Sequence, residues 1–165
     1  MAFSGYMKID DIQGESKRAD HEDEIDFYGI GWGAAQTSSA ATGSGRTRGR
    51  AVISDVKIEK FYDASSPLLA LACMQGKSFP EITAYVRKDS GDAHLDYLTI
   101  TMTDVIVSSY QMHGSGPKET DDDMITEEIC LSCETINIKY VKQADDHSSG
   151  DEYEVEYDIV AGKAA

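Results

Sequence analysis

Between Tyr153 and Ile159 the chain reads YEVEYDI, and apolar and acidic residues strictly alternate. Tyr153, Val155, Tyr157 and Ile159 fall on one face of an extended segment, and Glu154, Glu156 and Asp158 on the other. A period of two specifies a strand, and the apolar face then needs a second layer to cover it. The period returns in ETINIKYV (134–141), where Ile136, Ile138 and Tyr140 share one side. Further strands are expected in EIDFYGIGW (24–32), AVISDVKIEKF (51–61), FPEITAYVRK (79–88) and YLTITMTDVIVSSYQM (97–112), the last with a break near Asp104. In all, about eight or nine strands are expected.

One segment is different. In ASSPLLALACMQGK, Ser66 precedes Pro67, which suits a helix N-cap followed by proline in the first turn. Leu68, Leu71, Ala72 and Gln75 recur at helical spacing, and Gly76 supplies a left-handed stop. The spacing predicts a short α-helix over about 66–75 with its leucine face on a sheet. Polar, glycine-rich or charged stretches at 13–24, 34–50, 88–93, 113–123 and 143–152 read as connections. Many short strands and one helix point to a mainly β fold, either a closed barrel or a sandwich. At 165 residues the chain fits a single domain, 1–165.

Charge excludes several functions. Thirty acidic against 15 basic residues leave a net charge of -15. Such a surface repels the nucleic-acid backbone and anionic lipid headgroups, so no nucleic-acid partner and no membrane insertion are expected. The longest apolar run, LLALACM, is far too short to span a bilayer, and the amino terminus lacks the apolar stretch of a signal peptide. Three cysteines, Cys73, Cys130 and Cys133, give no disulfide framework.

Catalytic and metal signatures are weak. Cys130 and Cys133 form one C-x-x-C with no second pair for zinc, inside a strand pattern rather than at a helix start, and read as structural. The acidic runs HEDE (21–24) and TDDDM (120–124) lack the calcium-loop spacing and read as solvated charge. His21, His94, His113 and His147 sit apart in polar loops or strand edges, and Ser108 and Ser109 lie mid-strand without a nucleophile elbow. No enzyme activity, cofactor or metal is therefore expected. TGSGRTRGR (42–50) carries three arginines, yet it matches neither the P-loop nor the dinucleotide fingerprint, and a strand follows it rather than a helix. A long basic loop on an acidic body favours a protein contact, with arginines meeting carboxylates of another copy.

Several separated stretches together resemble the haemolysin co-regulated protein (Hcp) family of bacterial type VI secretion. They are YMKIDDIQGES (6–16), EIDFYGIGWGAAQ (24–36), KIEKFYDASSPLLALACMQGKSFPEITAYVRK (57–88) with its K-x-x-D-x-x-[ST]-P helix start, and YLTITMTDVIVSSYQMHGSG (97–116). The resemblance implies a closed β-barrel of two packed antiparallel sheets with the one short helix (about 66–75) on its side. Some relatives carry a toxin domain after the barrel, and no such C-terminal effector extension is expected here. The resemblance further implies a non-enzymatic structural subunit that forms homohexameric rings. These stack into a hollow tube and carry effectors in the lumen. It implies spike, sheath and effector proteins as partners, assembly in the bacterial cytoplasm, and export through the apparatus to the outside or a target cell without a cleaved signal peptide.

By position, the resemblance assigns ring stacking to Gly43, Ser44, Gly45, Arg46, Thr47 and Arg48. Some relatives hold a lumen-facing serine at the place of Gly31, which marks a cargo position where this chain lacks a side chain. Trp32 beside it is expected in the core. The alternative reading is a secreted stand-alone β-barrel acting as a binding module or adhesin on target cells.

Overall fold

The computed structural model describes residues 3–36, 38, 39, 47–90, 93–114 and 125–165. The elements run β1 (Ser4–Ile9), β2 (Ile25–Phe27), β3 (Gly29–Gly31), β4 (Ala34–Ala35), β5 (Ser38–Ser39), β6 (Thr47–Arg48), β7 (Val52–Ile53) and β8 (Val56–Phe61). Then come α1 (Ser66–Gln75), β9 (Ser78–Ser90), β10 (Ala93–His113), β11 (Thr126–Ser132), β12 (Thr135–Gln143), β13 (Ser149–Asp158) and β14 (Lys163–Ala164). Among the described residues the fold is mainly β with one α-helix and a short 3-10 turn at Ala19–His21, and every ladder is antiparallel.

Among the described residues ten strands share one hydrogen-bonded network. Its path is β3–β8–β11–β10–β12–β13–β14, with β9 alongside β10, β1 on β9 and β2 on β1. β2 and β3 are halves of one extended segment, and Tyr28 between them donates its N–H to the Glu59 carbonyl at 2.9 Å. That segment therefore touches β1 with its first half and β8 with its second.

The core follows the alternation. Met7 and Ile9 from β1, Val56 and Ile58 from β8, Ile129 and Leu131 from β11, and Ile100 and Met102 from β10 are buried together. β10 is continuous where a break near Asp104 was expected. Asp104 instead takes a left-handed conformation (φ 50°), and the buried phase shifts from Ile100 and Met102 to Val105 and Val107. The strand also changes partner there: Leu98–Thr103 pairs with β12 and Ile106–His113 with β11. Asp104 is thus a bend that lets one strand serve two neighbours.

The helix occupies the expected residues, but two details differ. Its N-cap is Ser65, and Ser66 is already helical, because the Ser66 hydroxyl is held in the polar lock described below. Its inward face is Leu69 and Ala72, with Cys73 half-buried, while Leu68, Leu71 and Met74 are exposed. Gly76 ends the helix at φ 63°, with the Lys77 N–H bonded back to the Ala72 carbonyl at 3.0 Å.

Candidate functional site

Beyond Gly31 the chain leaves the sheet as a hairpin arm. β4 pairs with β7 through Ala34↔Ile53 and Ala35↔Val52, and β5 with β6 through Ser38↔Arg48 and Ser39↔Thr47. The register slips by one residue between the two ladders. At the root, the Gly33 N–H donates to Ser54 Oγ at 2.6 Å and the Ser54 N–H to the Gly33 carbonyl at 2.8 Å. Of the six stacking candidates, Thr47 and Arg48 form β6, and Gly43, Ser44, Gly45 and Arg46 lie outside the described residues.

Arg50 follows β6 and was not among the candidates. Its guanidinium donates to the carbonyls of Ile159, at 2.7 Å, and Val160. It pins the arm to the C-terminal turn. Nothing in the sequence links positions about 110 apart, so only the fold reveals this anchor.

Gly31 lies on β3 opposite Lys57, exposed, with open space where a Cβ would stand. Trp32 is not core. It is 40% exposed because the chain turns out of the sheet at this point into the arm.

The K-x-x-D-x-x-S-P stretch builds a buried polar lock. Lys60 is fully buried, and its ammonium donates to the Phe61 carbonyl (2.9 Å), Asp63 Oδ1 (2.9 Å), Ser66 Oγ (3.1 Å) and Glu127 Oε1. Glu127 also accepts from Ser66 Oγ at 2.6 Å and from the Tyr110 hydroxyl. Burial, and then the Glu127 carboxylate, push the Tyr110 phenol well above its ordinary value. The lock ties β8, β10, β11 and the start of α1 together.

A second cluster surrounds His21, which is buried, although its loop was expected to be solvated. Its ring stacks on Tyr6 at 4.5 Å between centroids and meets Tyr85 at 4.9 Å. Nδ1 faces Glu24 at 2.7 Å and Nε2 faces Asp96 at 2.9 Å. Arg87 bonds Asp96 at 2.9 Å and Asp20 at 3.1 Å. Burial opposes the Arg87 charge, and the two carboxylates outweigh it and raise its pKa. Part of the HEDE run is therefore folded inward, while Glu22 and Asp23 remain exposed. TDDDM reaches only Ile125 with a described neighbour, since residues 120–124 lie outside the described set.

The remaining candidates stay apart. Cys130 and Cys133 are unbonded, and Cys133 is half-buried against the core, with its thiol pushed up to about 11 by burial and then by Asp55. The Ser108 hydroxyl donates to Asp55 at 2.6 Å. No three His, Cys, Asp or Glu among the described residues are placed to hold a metal ion. No described helix is long and apolar enough to cross a membrane.

One face of the sheet is apolar and uncovered among the described residues. Reading across the registers, Met7, Ala84, Ile100, Ile138 and Val155 form one row over five strands. The first three are buried, Ile138 is half-buried, and Val155 is 65% exposed. In the adjacent row, Val86 and Leu98 lead out to Tyr140 and to Tyr153, which is 59% exposed. The inward face of the core thus runs on over β12 and β13, where no described residue covers it.

The family model described as "Type VI secretion system effector, Hcp" matches residues 6–143. Protein hcp1 of Pseudomonas aeruginosa is 36% identical over 146 residues, 88% of each chain. Among solved structures, a type six secretion system protein superposes with a TM-score of 0.91 at 28% identity, over 99% of this chain and 100% of the other. Hcp1 from Salmonella typhimurium gives a TM-score of 0.80 at 31% identity, over the full length of both chains. The match extends from β1 into the exposed rows of β12, and the chain belongs to the Hcp family of type VI secretion proteins.

Proposed function

We propose that this chain is a non-enzymatic tube subunit. It closes into a single-domain β-barrel, assembles as homohexameric rings, and stacks them into a hollow tube that carries effectors. Barrel closure is supported by a circuit of ladders: β1, β9, β10, β11 and β8 follow one another, and the segment 25–31 bonds both β8 and β1. The observation that carries the assembly is the uncovered apolar row ending at Tyr153 and Val155. Leaving that face in water is costly, at about 25 cal/mol per Å² of apolar surface, and a second copy relieves it. In this reading the face meets a different face of the next copy, and such a head-to-tail contact closes as a ring. The arm then serves stacking, Gly31 marks a lumen position, and spike, sheath and effector proteins are the further partners. The rings form in the cytoplasm and leave through the apparatus.

Light scattering tests the ring. The expected mass is about 108 kDa, six times 18.0 kDa. Val155→Asp, at an exposed position, should yield folded monomers. A monomer for the unaltered chain across micromolar concentrations overturns the reading, as does a ring untouched by Val155→Asp.

A further inference from the structure

Where β2 passes into β3, beside the end of β8 farthest from the arm, lies a cleft of about 350 Å³. Its wall is aromatic: Phe3, Tyr28, Phe61 and Tyr62 are all exposed, between 39% and 44%. Tyr28 and Phe61 meet at 4.8 Å between centroids, and Phe3 leans on Phe27 at 6.2 Å. Its floor is acidic, with Glu15, Asp26 and Asp63 in the lining. Nearby cations do not neutralise it. Lys60 is shared between Asp63 and Glu127, and Arg18 is the other cation acting on Asp26, so four carboxylates stand against two cations. Partial burial, then Asp63 and Glu15, hold the Asp26 carboxyl above its ordinary value against the pull of Arg18 and Lys60. An open aromatic wall over excess negative charge suits a flat organic cation, which stacks on the rings and bonds the carboxylates at its edge.

We infer that this cleft is the socket for an arginine of the arm of a second copy stacked end to end. The inference rests on the ring-stacking reading above. Topology places donor and socket at opposite ends of the same strands. β3 enters the arm at Gly31 and begins beside Tyr28, while β8 leaves the arm before Val56 and ends at Phe61. Six residues of strand separate them by about 17 Å, so the cleft faces away from its own arm. Translation along the strand direction brings one copy's arm to the next copy's cleft. The arm segment 42–50 holds three arginines on a chain of net charge -15, and Arg50 is already committed to the C-terminal turn. We assign the socket's partner to the other two arginines of that segment, Arg48 on β6 and Arg46, which lies outside the described residues.

The test compares stacking of intact rings by electron microscopy and sedimentation. Asp26→Lys should reduce stacked rings about tenfold while ring mass stays unchanged, and Arg46→Glu with Arg48→Glu should do the same. Combining Asp26→Lys with both arm reversals should restore stacking. Asp26→Asn, which keeps the shape of the side chain, should weaken stacking, and arginine should dissolve stacks better than sodium chloride at equal ionic strength.

If the arm reversals abolish stacking while both Asp26 variants leave it intact, the socket falls and the stacking arm stands. If neither set changes the stacks, or the unaltered rings do not stack, both fall. Rings broken to monomers by Asp26→Asn would place the cleft inside the ring contact and overturn the inference.

Discussion

Replacing Lys60 by methionine tests whether the buried lock sets the stability of the fold. The two charged side chains of the pair, Lys60 and Glu127, have no exposed surface. Methionine fills most of the lysine volume, so little cavity arises, and the effect is electrostatic. Four acceptors lose a donor, and Glu127 stays buried with only Ser66 Oγ and the Tyr110 hydroxyl to satisfy it. Removing one partner of a buried pair costs about 3–5 kcal/mol, and the two surviving donors to Glu127 place this case near 3 kcal/mol. For a chain of this length that corresponds to a fall in Tm of about 6–12 °C.

Urea unfolding followed by circular dichroism measures it, with both proteins at one concentration so that assembly contributes equally. Adding Glu127→Gln removes the stranded charge and should return about 1–2 kcal/mol. A single-substitution loss below about 1 kcal/mol, or a double variant no better than the single, refutes the lock as a coupled network.

The Tyr110 phenol has a raised pKa in the folded state, so its contribution to stability is complete below its ordinary value near 10 and is lost as pH rises above it. Unfolding midpoints should therefore drop steeply above that pH, and Tyr110→Phe should flatten the drop. Gly5→Ala should destabilise the chain by about 1–3 kcal/mol, because a Cβ there runs into the Phe27 ring lying across β1; thermal unfolding reads it. The Cys133 thiol, held near 11, should alkylate far more slowly at pH 7.5 than an ordinary cysteine, as followed by mass spectrometry.

The strands were legible because each buries one face, and burial of one face writes itself as alternation. The helix was legible by its ends, from Pro67 to Gly76, but not by its face. LLALACM is apolar all round, so periodicity cannot choose between Leu68 with Leu71 and Leu69 with Ala72. The lock did leave a signal. Lys60 stands in phase with Val56 and Ile58, and Glu127 in phase with Ile129 and Leu131, so both charges occupy inward positions. A charge in an apolar phase predicts a buried partner. The arm root left no such mark, since Ala34, Ala35, Ser38 and Ser39 are small residues without alternation. The aromatic cleft gathers residues from three distant stretches, and proximity of that kind exists only once the ladders form.

The position of β1 in the network bears on how the chain survives its own synthesis. Ser4 pairs with Arg87 and Ile9 with Ile82, so the first strand made must wait for β9 before its ladder can close. At bacterial translation speeds that interval is on the order of ten seconds. Throughout it, β1 can pair only with the short β2, and the other side of a strand that carries Tyr6, Met7 and Ile9, all destined for burial, stays open. β9 and β10, by contrast, are joined by a short connection and pair along nearly their whole length as soon as both emerge. The hairpin made in the middle of the chain is therefore the template on which the oldest strand, already joined to β2, completes its pairing.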